Sequence, residues 1–252
     1  MTVNIKENER IDDLQLKGLK IIQNPNWFCF GIDAVLLANY AEVKSKAKVV
    51  DLGTGTGIVP LLIYGKRNPS QIVGVEVQDA VADMANRSIE LNNAGEIISI
   101  AHMNLKEAPK KLGKGKFDVV TSNPPYMPAG KGIVNPEDQK AISRHEILCD
   151  LEDVIRVGSE LLNTSGKFFM VHRPLRLVDM LLLMRKYDLE AKNIRFIHPK
   201  PGKQPNLMLI KAIKKGSAEL KIEKPLYVYD ENGEYTKEIH EIYGDMWETE
   251  EK

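Results

Sequence analysis

Short apolar runs rich in β-branched residues alternate along this chain with stretches whose apolar residues recur at helical spacing. The runs predict strands over 47–52, 71–76, 97–102, 117–122 and 166–171, with helical patterns between them. From Asp79 to Asn92, for example, Val81, Met84, Ala85, Ile89 and Leu91 fall where a helix would bury one side. Regular alternation of strand and helix predicts an α/β fold, a parallel sheet with helices on both faces. Two further strands, 192–198 and 206–213, are joined by only 199–205, so a seven-stranded, mostly parallel sheet with an antiparallel last strand is expected. That connection, rich in proline and lysine, should project as a stiff basic finger. Residues 180–184 (Met-Leu-Leu-Leu-Met) read as a helix facing the core. Farther on, Asn232-Gly233 lies between two apolar and aromatic stretches and predicts a hairpin within 225–240, at the rim of the same domain.

The strand ends carry the chemistry. Lys48-Val49-Val50 leads into Asp51-Leu52-Gly53-Thr54-Gly55-Thr56-Gly57, and an apolar helical pattern follows. Strand, glycine loop and helix start in this order mark a Rossmann-like unit, in which the backbone approaches a ligand closely. Gly53, Gly55 and Gly57 lack a Cβ, so the chain turns tightly and leaves bare peptide exposed. The spacing differs from the dinucleotide fingerprint, and no Gly-Lys-Ser/Thr follows as in a phosphate-binding loop. An acid before the first glycine repels a pyrophosphate and suits a cationic amino-acid group, which favours S-adenosylmethionine over NAD. The second strand ends in Glu76-Val77, an acid about 20 residues past the glycines, where such folds hold a ribose by its hydroxyls.

The fourth strand ends in Ser122-Asn123-Pro124-Pro125-Tyr126. Asn-Pro-Pro-Tyr alone is also compatible with a rigid turn. Behind a methyl-donor loop it offers an amide, two carbonyls without competing N–H groups and an aromatic face. These suit a planar nitrogen that is to be methylated. Asn123 Oδ1 and the Pro124 carbonyl are candidate acceptors for the two hydrogens of such a nitrogen. Pro124 holds Asn123 in extended conformations, and Tyr126 offers a stacking face. No metal is called for: alignment and acceptor placement supply the acceleration.

In this order and spacing, these motifs resemble a class I S-adenosylmethionine-dependent methyltransferase of the amino-methylating branch. The stretch Leu19-Lys20-Ile21-Ile22-Gln23-Asn24-Pro25, continued by Trp27-Phe28-Cys29-Phe30-Gly31-Ile32-Asp33-Ala34, resembles the bacterial tRNA1(Val) (adenine-N6)-methyltransferase family. The resemblance runs from about residue 10 to about residue 245. It implies that tRNA is the partner and that the target is the adenine 3′ of the anticodon. It also implies that the cofactor's adenine lies near Met103-Asn104-Leu105, where many relatives have an acid in place of Asn104. Phe28, Phe30 and Asp33 belong to a segment that closes over the cofactor in related enzymes. The whole chain is then one domain: 1–46 covering the cofactor, 47–213 the core, 216–252 the hairpin and an acidic tail.

Composition changes this picture little until charge is taken locally. The 252 residues carry 35 Lys+Arg and 35 Asp+Glu, no net charge. From Arg173 to Lys215, however, eleven basic residues face three acids, and from Gly216 onward eleven acids face four lysines. Such asymmetry fits either a solvated basic face or a strip that holds RNA phosphates. Arg173, Arg176, Lys200 and Lys203 are its candidates, and Lys131, Lys140 and Arg144 join them from 127–145. That glycine-containing stretch beside the motif is expected to act as a lid. Cys29 and Cys149 show no metal spacing and read as reduced packing residues. No stretch approaches the roughly 18 apolar residues of a membrane span and no secretory apolar region starts the chain, so a cytoplasmic protein is expected. Three other readings stay open: a protein-glutamine N5-methyltransferase, a ribosomal RNA guanine-N2 methyltransferase and a non-catalytic RNA-binding module. The first usually carries a helical domain before the glycine loop, and only 46 residues precede that strand here.

Overall fold

A computed structural model describes residues 3–27, 29–125 and 149–244. The N-terminal part is an antiparallel hairpin, β1 (Arg10–Asp13) and β2 (Lys20–Gln23), followed by α1 (Ile32–Tyr40). The core then runs β3 (Lys48–Leu52), α2 (Ile58–Lys66), β4 (Gln71–Glu76), α3 (Asp79–Leu91), β5 (Ile98–His102), α4 (Ala108–Leu112) and β6 (Phe117–Ser122). After the undescribed 126–148 come α5 (Leu151–Leu161), β7 (Leu162–His172), α6 (Leu177–Lys186), β8 (Leu189–His198) and β9 (Leu207–Lys214). Two short strands, β10 (Lys221–Ile222) and β11 (Leu226–Tyr227), and α7 (Lys237–Tyr243) close the described chain.

The sheet runs β5-β4-β3-β6-β7-β9-β8, with β3 to β7 parallel and β9 antiparallel to both neighbours. These are the seven strands expected, mostly parallel with the last one antiparallel. The sheet is extended at the β8 edge by β10 and β11, each of only two paired residues, which brings it to nine strands. Because β3 and β6 are covered on both faces, they read as continuous β-branched runs without alternation. One face packs Val49, Val119, Phe169 and Ile72 against α1 and α2, with Ile89 of α3. The other packs Val50, Val120, Phe168 and Met170 against α5 and α6. Met180 and Met184 are fully buried there, as a core-facing helix requires.

Two parts depart from expectation. The N-terminal hairpin was not anticipated; it is bound to α3, where Ile22 N donates to Ser88 Oγ at 3.0 Å and Lys20 N to Asn92 Oδ1 at 2.8 Å. The C-terminal hairpin keeps its turn at Asn232-Gly233 but is corrected in its second arm. Tyr229 and Tyr235 form a single antiparallel bridge around a loop that Asp230 Oδ1 closes by accepting from Asn232 N and Glu234 N. The second arm is the helix α7, capped by Thr236 and burying Ile239 and Ile242 at helical spacing. No helix among the described residues is long and apolar enough to cross a membrane. Both cysteines are free, and burial, with Asp153 and Asp150 nearby, pushes the Cys149 thiol up to about 11.

Candidate active site

Parallel strands end together, and the ends of β3, β4 and β6 bring Asp51, Glu76 and Asn123 to one edge of the sheet. Gly53, Gly55 and Gly57 follow Asp51 with φ of 72°, 57° and 88°, a left-handed run that only glycine adopts without strain. A Cβ on Gly53 or Gly55 would meet nothing within 4 Å, so the loop's outer side is open space. Its inner side is fixed. Gly53 N and Thr54 N both donate to Val75 O at 3.0 Å, and Gly55 N donates to Glu76 Oε2 at 3.0 Å.

Glu76 is 1% exposed, and its other oxygen accepts from Val77 N and Gln78 N at 2.9 Å. One carboxylate thus ties the glycine loop to the start of α3. Asp51 is also buried, but its support is thinner: Thr121 Oγ1 donates to its Oδ1 at 2.6 Å. The Thr54 hydroxyl is near enough to favour the charged acid, yet it lacks a hydrogen bond of normal geometry. Gly74 makes room for that threonine, since a Cβ there would sit 2.8 Å from Thr54 Cγ2. Burial outweighs the two hydroxyls, and with Glu76 adding its repulsion the Asp51 carboxyl is pushed up to about 6.

Asn123 follows β6 directly and is half-buried, Pro124 is buried and Pro125 is exposed. Ser122 Oγ donates to Leu52 O at 2.9 Å, which ties the residue before Asn123 to the strand that enters the glycine loop. Asn104 caps the turn after β5, its Oδ1 accepting from Lys106 N at 3.0 Å, and Leu105 beside it is buried. Phe30 lines an apolar cavity of about 120 Å³ with Ile58, one residue past Gly57, and with Tyr243 of α7. Asp33 is buried at the start of α1, where its Oδ1 accepts from Ala34 N at 2.9 Å. Burial, then Tyr235, Tyr229 and Asp33, push the Tyr243 phenol up to about 12.

Among the basic candidates, Arg173 follows β7, and its Nη1 donates to Asn206 O at 3.2 Å, joining it to the exposed turn that carries Lys200 and Lys203. Since His172 pairs with Met208, this turn stands at the same end of the sheet as Asn123. Arg176 is paired with Asp179 at 2.7 Å, and Arg185, Lys186, Lys192, Arg195 and Lys211 also have acidic partners. Much of the local basic excess is therefore compensated within the fold. Phe28, Tyr126, Lys131, Lys140 and Arg144, with the expected lid, lie outside the described residues. Sequence reasoning gave no role to Thr121 or Ser122, the buried polar residues that close β6 and bond to β3.

The methyltransferase small domain family model matches residues 18–193. The chain belongs to the methyltransferase small domain family. This methyltransferase is 28% identical to the tRNA1(Val) (adenine(37)-N6)-methyltransferase of Phocaeicola vulgatus, over 86% of this chain and 91% of that one. It is 30% identical to the protein of the same name from Bacteroides thetaiotaomicron, over 71% and 74%. Among solved structures, a predicted O-methyltransferase from Agrobacterium tumefaciens superposes with a TM-score of 0.68, at 23% identity over 84% of this chain and 95% of that one. The fold expected of this methyltransferase and its resemblance to tRNA1(Val) (adenine-N6)-methyltransferases are both borne out.

Proposed function

We propose that this methyltransferase transfers a methyl group from S-adenosylmethionine to the exocyclic N6 of an adenine in tRNA, the adenine 3′ of the anticodon, in the cytoplasm. The observation that carries this reading is the position of Asn123-Pro124. They stand one strand from the open glycine loop, with Thr121 and Ser122 bonded to that loop's own strand. The similarity to tRNA1(Val) (adenine(37)-N6)-methyltransferases supports the tRNA substrate.

The residues present fit the cofactor. The open side of Gly53 and Gly55 leaves room for it; Asp51 would hold its cationic amino-acid end, and Glu76-Val77 and Asn104-Leu105 would hold its nucleoside. Phe28, Phe30 and Asp33 belong to the covering segment. When bound, S-adenosylmethionine supplies a sulfonium methyl group, electrophilic at neutral pH. The adenine N6 lone pair is delocalised into the ring and is a poor nucleophile. Asn123 Oδ1 and the Pro124 carbonyl accept the two N6 hydrogens and aim the lone pair away from the ring plane, where charge develops during transfer. Tyr126 stacks on the base, worth about 1–3 kcal/mol for an unstacked base. An anticodon loop presents that base at low unstacking cost. Arg173, Arg176, Lys200 and Lys203, together with Lys131, Lys140 and Arg144, take the phosphates.

The test offers labelled S-adenosylmethionine with unmodified tRNA, ribosomal RNA and release factor in parallel. Label is expected on tRNA. Label on release factor alone would overturn the tRNA assignment and favour a glutamine substrate, and label on ribosomal RNA alone a guanine. No transfer and no cofactor binding would leave the non-catalytic RNA-binding reading.

A further inference from the structure

Asp51 and Thr121 are register partners on the parallel strands β3 and β6, so their side chains leave the same face of the sheet. The Thr121 hydroxyl donates to Asp51 Oδ1 at 2.6 Å, and both residues are buried. One position on, Ser122 Oγ donates to Leu52 O, and Asn123 follows. We propose that Thr121 is a positioning residue that keeps the Asp51 carboxylate ionised for the cofactor's cationic end and fixes the level of Asn123 against the glycine loop. This rests on the S-adenosylmethionine reading above.

The surroundings of Asp51 leave this hydroxyl an unusually large role. From β4 comes only Glu76, whose negative charge opposes ionisation. From the loop comes the Thr54 hydroxyl, short of a proper bond. The α2 residues over this face, Ile58, Val59, Leu61 and Leu62, bring no charge. Asp33 of α1 acts on Tyr243 instead. No Lys, Arg or His among the described residues acts on Asp51. Among the described residues, Thr121 is therefore its one well-formed side-chain donor. A hydrogen bond to the charged form favours that form, so removing it raises the pH at which the acid protonates. A protonated Asp51 no longer attracts a cation.

S-adenosylmethionine affinity should be measured by calorimetry from about pH 5.5 to about pH 8.5 for the native protein, T121V and T121S. The Asp51 carboxyl is followed in parallel by carbon NMR without ligand. T121V should move the acid limb of both curves up by about one pH unit, so that near pH 6 it binds about fivefold more weakly than the native protein. Near pH 8.5, where the acid is ionised either way, the loss should all but vanish. T121S, which keeps the hydroxyl, should restore the native limb. A uniform loss across the pH range would overturn the inference in favour of plain packing, as would an unmoved carboxyl titration. Either result with a native protein that binds cofactor overturns the inference alone. A native protein that binds none at any pH overturns the cofactor reading with it.

Discussion

Two buried carboxylates end adjacent strands a few residues apart in space, and the fold treats them oppositely. Glu76, closing β4, has its oxygens committed to the backbone N–H groups of Gly55, Val77 and Gln78. Asp51, closing the neighbouring β3, has one short bond from a hydroxyl and is pushed up to about 6. The first acid is a structural tie; the second is left costly when charged, which suits the cationic partner proposed for it. Burial alone does not fix what a carboxylate does. The supply of donors does.

Changes at three positions test that contrast. The largest effect is expected away from both acids. Asn123→Ala should lower methyl transfer by about 100-fold or more while cofactor affinity changes by a few-fold, since the proposed mechanism uses its side chain as an acceptor in the transition state. Collapse of cofactor binding in this variant would show that Asn123 holds the donor instead. At Glu76 the tie should break. Glu76→Gln turns an amide N–H2 against backbone donors, and it should lower stability by about 1–3 kcal/mol in a denaturant titration as well as weaken cofactor binding.

At Asp51 the sign should reverse. Its folded pKa lies above the ordinary 3.8, so folding favours the protonated acid. That contribution to stability is present below 3.8 and lost as pH rises through about 6. Asp51→Asn should therefore stabilise the ligand-free protein near neutral pH by about 1–2 kcal/mol, while weakening the cofactor. The two proteins should converge in stability as the pH falls below 4, near the acid's ordinary value. If both acid variants destabilise equally at every pH, the two carboxylates do not differ in the way their donors imply.

The path from Lys48 to Asn123 was legible because each strand is a β-branched run that stops at a residue of different chemistry. Asp51, Glu76 and Asn123 mark those stops, and parallel topology then brings them together without further information. The N-terminal hairpin was hidden because each strand is four residues long and Arg-Ile-Asp-Asp shows no buried side. Its support comes from Ser88 and Asn92, far away in sequence. The C-terminal helix was misread because Asn-Gly followed by a tyrosine is a strong hairpin signal over short range. The spacing of Ile239 and Ile242, with Thr236 before them, carried the opposite message. Thr121 could be recognised only with register in hand, because nothing in Val-Val-Thr-Ser says which residue of β3 stands opposite.

The most direct test of the account is nucleoside mass spectrometry on an unmodified valine tRNA after incubation with this protein and S-adenosylmethionine. N6-methyladenosine is expected at the adenine 3′ of the anticodon, and none when that adenine is replaced by guanine. Methyl groups found on guanine, or transfer that persists after the replacement, would contradict it.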